Sequence, residues 1–475
     1  MHQIDTDYLV IGSGTSGLAF TDTLIAQTDS HVTVIDRHGK PGGHWNDAYS
    51  FVTLHQPSAF YGVDSLELGS GRRDTVGLNQ GFYELASGPE VSGYFERVMN
   101  QRLLPSGRVA YRPMCNYLGD GVFESLLSGE RTQVNVRKKV VDAAYFGPAV
   151  PATHTRRFAV GEGAQVLPPS ALPGLWNGAQ GGQGVQGGAV PRRFVVLGAG
   201  KTAMDTCIWL IQSGAHPDAI TWVVPRDSWL VNRVTTQTGP EFFNEAIGGQ
   251  ADQMEAFANA TSTQDLFTRL EACGAMLRID AAHTPTMFHF ATVTPAEVAV
   301  LRRIRNVVRM GRVQAVNADH MVLAQGRVAV EPGALFIDCT ASAVEPRAAQ
   351  PVFQGNSVVL QIVRMPQPAF SAALIAFVEA HHEDEALKNR LCASVPFPHR
   401  LADYPGAMLA NMRNQFEWGQ DQALRQWIRS SRLDGFGKLM ASAARDDVEK
   451  QSIISRFKEQ AAAAMVNLPR LVAGA

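Results

Sequence analysis

The 475-residue chain has only five cysteines, at 115, 207, 273, 339 and 392, and no two are spaced as C-x-x-C. That absence excludes a dithiol redox centre and a cysteine-rich zinc site. An odd, scattered set suits a reducing compartment. Charge of one sign is also missing: 42 lysines and arginines face 44 acids, for a net charge of −2. Neither a nucleic-acid partner nor a membrane surface is therefore expected. No apolar run approaches the ~18 to 20 residues of a membrane span. The first apolar stretch begins by Tyr8, which leaves no room for a cleavable signal. These absences point to a cytoplasmic globular protein, long enough for two or three domains.

What is present is glycine in two particular places. Residues 7–36 read as a short apolar strand, a glycine turn, a helix, and a second apolar strand ending in Asp36. Gly12, Gly14 and Gly17 fit G-x-G-x-x-G, with Ser13 and Ser16 between them. The first glycine allows the tight turn, the second lets a pyrophosphate approach the backbone, and the third lets the helix pack on the sheet. The unpaired N–H groups and positive dipole end of the helix face the phosphates. Asp36 falls 22 residues after Gly14, close to the spacing of a carboxylate that accepts from a ribose hydroxyl pair. Arg37 is placed beside an adenosine. A second turn, Gly42-Gly43, then leads into His44 and Trp45.

The order strand, G-S-G-T-S-G, strand-Asp-Arg, G-G-x-W resembles the FAD half of flavoproteins with two dinucleotide-binding domains, most closely flavin-containing and Baeyer–Villiger (class B) monooxygenases. The segment Val52-Thr53-Leu54-His55-Gln56-Pro57 is similar to the next flavin-side stretch of those families. The resemblance implies an FAD site built by Gly12, Ser13, Gly14, Ser16, Gly17, Asp36, Arg37, Gly43, His44, Trp45, His55 and Gln56. It further implies that the backbone at Val140 touches an adenine. The families' F-x-G-x-x-x-H signature is not met: Gly178 fits its glycine, but Gly182 stands where its histidine belongs.

A second fingerprint begins at Phe194. Gly198, Gly200 and Ala203 fit G-x-G-x-x-A after an apolar strand, and G-A-G-K-T-A-M-D resembles the second motif of the same families. Gly198, Gly200, Lys201 and Thr202 are the expected phosphate contacts. A phosphate-binding P-loop is excluded, because the residue five before Gly200 is Val195 rather than glycine. The second strand of this unit ends in V-V-P-R-D, which puts Arg226 where a ribose-reading group belongs. An arginine there pairs with a 2′-phosphate that an acid would repel, so NADPH is preferred to NADH; the alternative makes Arg226 a surface charge and Asp227 the ribose acceptor.

The fold class expected is α/β, with two Rossmann-like dinucleotide-binding domains and a helical C-terminal region. The FAD-binding domain covers 1–176 and 331–380. A Gly-rich linker at 177–190 leads to the NAD(P)-binding domain at 191–330, which carries an insertion at about 234–295. A helical cap covers 381–475. Residues 307–330 read as a meander returning to the flavin fold. Residues 334–342 resemble the stretch that re-enters it, with Ala341 and Ser342 near the flavin.

The resemblance implies an FAD-dependent, NADPH-using oxidoreductase. A monooxygenase acting with O₂ on a small organic molecule through a C4a-(hydro)peroxyflavin leads. A flavoprotein reductase without oxygen insertion is the alternative, and a non-catalytic flavin sensor or assembly protein is a third reading. His44 and His55 are proton-handling candidates, and Arg233 is a candidate substrate or nicotinamide contact, as are Asn232 and His289. No metal is expected, and neither the substrate nor the oligomeric state is legible.

Overall fold

The structure is a computed structural model and describes residues 2–179, 191–342 and 346–474. Its first unit opens with β1 (His2–Ile11), α1 (Thr15–Gln27) and β2 (Val32–Ile35). There follow α2 (Gly88–Val98), β3 (Val109–Arg112), a hairpin of β4 (Cys115–Gly119) and β5 (Val122–Ser125), and the long β6 (Arg131–Asp142). Tyr8, Leu9 and Val10 are all buried. They read as an apolar run rather than an alternation because a parallel strand is covered on both faces. Helix α2 starts where Ser87 and Glu90 form a reciprocal capping box, which satisfies two backbone donors at its first turn.

The second unit contains β7 (Ala159–Val160), β8 (Gln165–Leu167), α3 (Leu172–Ala179), β9 (Phe194–Leu197), α4 (Lys201–Gln212) and β10 (Ile220–Val223). An excursion follows, comprising β11 (Ser228–Asn232), α5 (Gly249–Asn259), α6 (Thr263–Ala272), β12 (Met276–Leu277) and β13 (Met287–Val293). The unit resumes with α7 (Pro295–Leu301), β14 (Asn306–Val308), the meander β15 (Val313–Val316), β16 (His320–Leu323) and β17 (Gly326–Ala329), and finally β18 (Leu335–Asp338). The chain then returns to the first sheet with β19 (Phe353–Gln354) and β20 (Ser357–Val359). It ends in α8 (Pro368–His381), α9 (Glu385–Leu391), α10 (Tyr404–Gln420), α11 (Gln422–Ser430), α12 (Gly435–Ala441) and α13 (Val448–Ala473).

The two units share one plan. The first sheet runs β3-β2-β1-β6-β20 with these strands parallel, and the second runs β14-β10-β9-β18-β8, also parallel. In each, the strand that leads into the fingerprint's turn, β1 or β9, has the next two parallel strands of its sheet on one side. On the other side lies the strand that follows a meander. The order reverses between β1 and β6, and again between β9 and β18, which is where open α/β sheets hold ligands beyond their carboxyl ends.

This topology corrects several expectations. Strand β18 pairs with β9 and β8, so residues 334–342 close the second sheet and do not re-enter the first. The meander β15–β17 belongs with them, joined by β7. Strands β7 and β8 likewise lie outside the first sheet, so the chain leaves it after β6, earlier than the expected 176. The first sheet is re-entered only at β19 and β20, beyond residue 350. An apolar strand ending in small residues looks alike in either sheet, and only its neighbours decide which it completes. The excursion after β10 has its own sheet, β12-β11-β13, and its helix α5 packs on α13. Of the expected Gly-rich linker, residues 180–190 lie outside the described residues.

The largest core joins β1 and β2 to α1, α2 and α8, through Phe20, Tyr94, Phe95, Phe370 and Phe377. Helices α1 and α8 lie side by side, and His381 Nε2 meets Gln27 Oε1 at 3.0 Å where both helices end. Their amino ends therefore open together at the carboxyl edge of the first sheet. The C-terminal helices are tied back to this unit by Arg432, whose guanidinium donates to the backbone carbonyls of Ala59, Tyr61 and Val63.

Candidate dinucleotide sites

The first fingerprint makes the turn between β1 and α1. A Cβ added at Gly17 would lie 1.9 Å from the carbonyl oxygen of Gly12, so no other residue fits there. Ser13 is buried, and its N–H and hydroxyl donate to Asp36 Oδ2 at 2.6 and 2.8 Å. The other oxygen, Oδ1, meets the N–H and ring Nδ1 of His38 at 2.8 and 2.9 Å. Four protein donors thus fill the acceptor sites of this carboxylate. A ribose diol would have to replace the Ser13 hydroxyl or the His38 ring to reach Asp36. His38 Nε2 bonds Asp47 at 2.8 Å. Burial works against the charged imidazole, but Asp47 and Asp36 outweigh it and raise its pKa. Tyr111, on β3, meets Ser13 Oγ at 3.3 Å and completes the wall on the Asp36 side.

The G-G-x-W loop docks on this turn. Gly42 N–H donates to the Ser13 carbonyl at 2.9 Å. Trp45 Nε1–H donates to Tyr61 Oη at 2.7 Å, and that phenol bonds Thr15, the first residue of α1. His44 stacks on Trp45 with centroids 5.4 Å apart. Burial lowers the His44 pKa to about 4, and burial with Lys201 and Arg233 pushes that of His55 well down. Both rings are neutral at pH 7. The buried acceptors without a partner among the described residues include Asn46 Oδ1 in this loop and Gln367 Oε1 at the amino end of α8. The residues thus fit a dinucleotide whose second half carries hydroxyl and imide donors. Ser16 and Gln56 are half-buried and Arg37 is exposed. Val140 is a correction: it pairs with Leu9 and Ser357 inside the sheet, on the opposite side of β1 from Asp36.

The second fingerprint turns between β9 and α4. Gly198 has φ +121°, and a Cβ there would come within 2.5 Å of the Cys339 carbonyl. Gly200 opens α4, and its Cβ position meets nothing. Lys201 does not project freely toward a phosphate: its ammonium pairs with Asp205 and lies 3.8 Å from Glu297. Tyr49 from the first unit donates to Asp205 at 2.8 Å and also reaches Thr202. Phe51 stacks on Trp209.

Arg233 is 1% exposed. It donates to His55 O at 3.0 Å, Asn79 Oδ1 at 3.1 Å and Thr292 O at 3.2 Å, and pairs with Glu297 at 2.9 Å. It therefore clamps the two units together, with its donors spent on protein atoms. Asn232 caps Val234 and donates to the Gly274 carbonyl. Ala341 and Ser342 follow β18 and so lie at the second nucleotide turn, across the sheet's reversal from β10.

Arg226 is exposed at the carboxyl end of β10, facing His289 and Arg312. Burial and then Arg312 lower its pKa. Among the described residues, no carboxylate pairs with Arg226 or Arg312. Asp227 is instead held by both ends of Arg309, at 2.9 and 3.2 Å. It lines a cavity of ≈ 500 Å³ with Ala199, Trp222, Arg278, Arg305 and Arg309. Sequence reasoning missed His38, Tyr111 and Arg312, for they are ordinary residues of strands and turns until the fold gathers them.

Two nucleotide folds of one plan, the second set into the first, define the class: a doubly wound α/β protein with two dinucleotide-binding turns. The model of the NAD(P)-binding Rossmann-like domain matches residues 10–63. The chain belongs to the same family as the Mycobacterium tuberculosis (strain ATCC 25618 / H37Rv) protein "Uncharacterized protein Rv2000" and the Mycobacterium bovis protein "Uncharacterized protein Mb2023". It is 44% identical to each over 469 residues, covering 99% of this chain and 85% of theirs. Among solved structures it is similar to a flavin-containing monooxygenase from Stenotrophomonas maltophilia (TM-score 0.45, 13% identity, 79% of this chain and 98% of that one). It is also similar to the open form of cyclohexanone monooxygenase (TM-score 0.49, 16% identity, 80% and 88%). Among the described residues, no helix is long and apolar enough to cross a membrane, and no group of three or more His, Cys, Asp or Glu could hold a metal ion.

Proposed function

We infer that the chain is an FAD- and NADPH-dependent oxidoreductase, a monooxygenase that uses O₂ on a small organic substrate. The observation that carries this reading is the pairing of two dinucleotide turns in one rigidly clamped molecule. The first turn holds Asp36 and the G-G-x-W loop, and the second places Arg226 and Arg312 without a carboxylate partner. When bound, FAD supplies the two-electron chemistry: hydride is accepted from NADPH and the electrons pass to oxygen.

The chain's own residues bind and orient. The N–H groups at the start of α1 and of α4 would hold the two pyrophosphates. Arg226 and Arg312 present two guanidiniums to a 2′-phosphate. Asn46 and Gln367 offer acceptors toward the flavin half. The Arg233–Glu297–Lys201–Asp205–Tyr49 network joins the two units and excludes water from the seam between them. His44 and His55, being neutral, can accept a proton without first losing one.

The test is anaerobic mixing of the purified, FAD-loaded protein with NADPH, followed by air. Rapid bleaching of the flavin, with oxygen uptake coupled to an oxygenated product, supports the reading. Bleaching with uncoupled reoxidation and no oxygenated product across a substrate panel supports a reductase. A protein that cannot be loaded with FAD overturns both.

A further inference from the structure

A second cavity, ≈ 460 Å³, lies between the first sheet and the C-terminal helices. Tyr145 and Phe146 form one wall, three and four residues beyond the end of β6. Gln361, two residues beyond the end of β20, lines it as well. Phe397, His399 and Arg347 also line it. The cavity therefore sits outside the carboxyl ends of β6 and β20, beyond the point where the strand order reverses. Asp36 and Tyr111 place an adenosine on the other side, over β2 and β3. A dinucleotide with its adenosine at Asp36 would run across β1 toward β6.

The lining has a definite chemistry. Tyr145, Phe146 and Phe397 offer aromatic surface. Arg400 is not available, because Asp403 takes its guanidinium at 2.6 and 3.1 Å. Arg347 differs: its guanidinium lies 5.2 Å over the Tyr145 ring and makes no ion pair among the described residues, although the Asp142 carboxylate feels its charge. A guanidinium held against an aromatic ring, beside an apolar cleft, suits a carboxylate attached to an apolar body.

We propose that this cleft binds the substrate, and that the substrate is a small organic acid with a cyclic or aromatic body, its carboxylate on Arg347 and its body against Tyr145, Phe146 and Phe397. The proposal rests on the flavoenzyme reading for its chemistry, but its binding does not.

Calorimetric titration of the FAD-loaded protein with benzoate and benzamide, and with cyclohexanecarboxylate and its amide, tests it. At least one acid should bind about tenfold tighter than its neutral amide, as a charge-assisted pair requires. Arg347→Ala should abolish that preference and leave FAD affinity unchanged, while Arg347→Lys should keep part of it. Equal binding of acid and amide, binding of neither, or a preference that survives in Arg347→Ala overturns the proposal. So does an Arg347→Ala protein that loses FAD instead of the acid, since the cleft would then house the cofactor. If the protein takes up no FAD, the flavoenzyme reading fails. The acid-against-amide comparison, made by thermal shift on the flavin-free protein, still decides the cleft.

Discussion

Replacing Arg233 by methionine removes a cation that is 1% exposed and leaves Glu297, itself 8% exposed, with Lys201 at 3.8 Å as its remaining cation. It also strips the carbonyls of His55 and Thr292 of a donor. Breaking a buried pair by deleting one partner costs about 3–5 kcal/mol, because the survivor stays charged and dry. For a cooperative unit of some 150–250 residues, each kcal/mol lowers Tm by roughly 2–4 °C, so the loss should be about 6–20 °C. The double variant Arg233→Met with Glu297→Gln should recover a good part of it, since no lone charge remains. Burial acts to raise the Glu297 pKa, but Lys201 and Arg233 outweigh it and hold it down. Its contribution is present above the ordinary carboxylate range and fades as pH falls through its lowered value, so the deficit of the single variant should shrink in acid. Thermal unfolding of both variants at neutral and acid pH is the assay. A single variant that loses less than about 1 kcal/mol, or a double variant that adds the two losses in full, refutes the clamp.

The two glycines of the first turn should behave differently. A Cβ at Gly14 meets only Gly43 Cα at 3.5 Å, an ordinary contact, so Gly14→Ala should fold and lose FAD, whereas Gly17→Ala should not fold. A yellow, fully occupied Gly14→Ala protein would remove FAD from this turn. Arg226→Ala and Arg312→Ala should each weaken 2′,5′-ADP binding by about tenfold and leave 5′-AMP unaffected; equal losses for both ligands would mean that neither arginine reads the phosphate. For His38, the raised folded pKa means its charged form stabilises the protein fully below about pH 6.5, and this is lost as pH rises through the folded value. His38→Asn should therefore cost more Tm at pH 6 than at pH 9, and a pH-independent loss would break the link to Asp36 and Asp47.

Much of the architecture was legible because glycine turns carry their own geometry. Gly12, Gly14 and Gly17 sit between two apolar runs at a spacing that only a strand–turn–helix satisfies, and the same holds at Gly198 and Gly200. Strand ends within a fingerprint were equally readable, since β2 stops at Ile35, just before Asp36, where its apolar run stops. Long-range pairing was not. Residues 335–338 carry the same apolar pattern whether they close the first sheet or the second, and the backbone hydrogen bonds to β9 and β8 decide. Val140 was misplaced for the same reason, since its side of β1 depends on where a meander crosses. Arg233 read as a site residue because a lone arginine near a nucleotide fold has no sequence label for burial.

The sequence alone determined that there are two Rossmann-type glycine turns, in what order they come, and which glycines form them, because those properties follow from local backbone geometry over a few residues. Tertiary structure alone decided which strands belong to which turn, that Lys201 and Arg233 are spent on Asp205 and Glu297, and that Arg312 joins Arg226 while Arg347 faces Tyr145. Those outcomes depend on which side chains and strands become neighbours across scores of residues, and that is a property of packing, not of pattern.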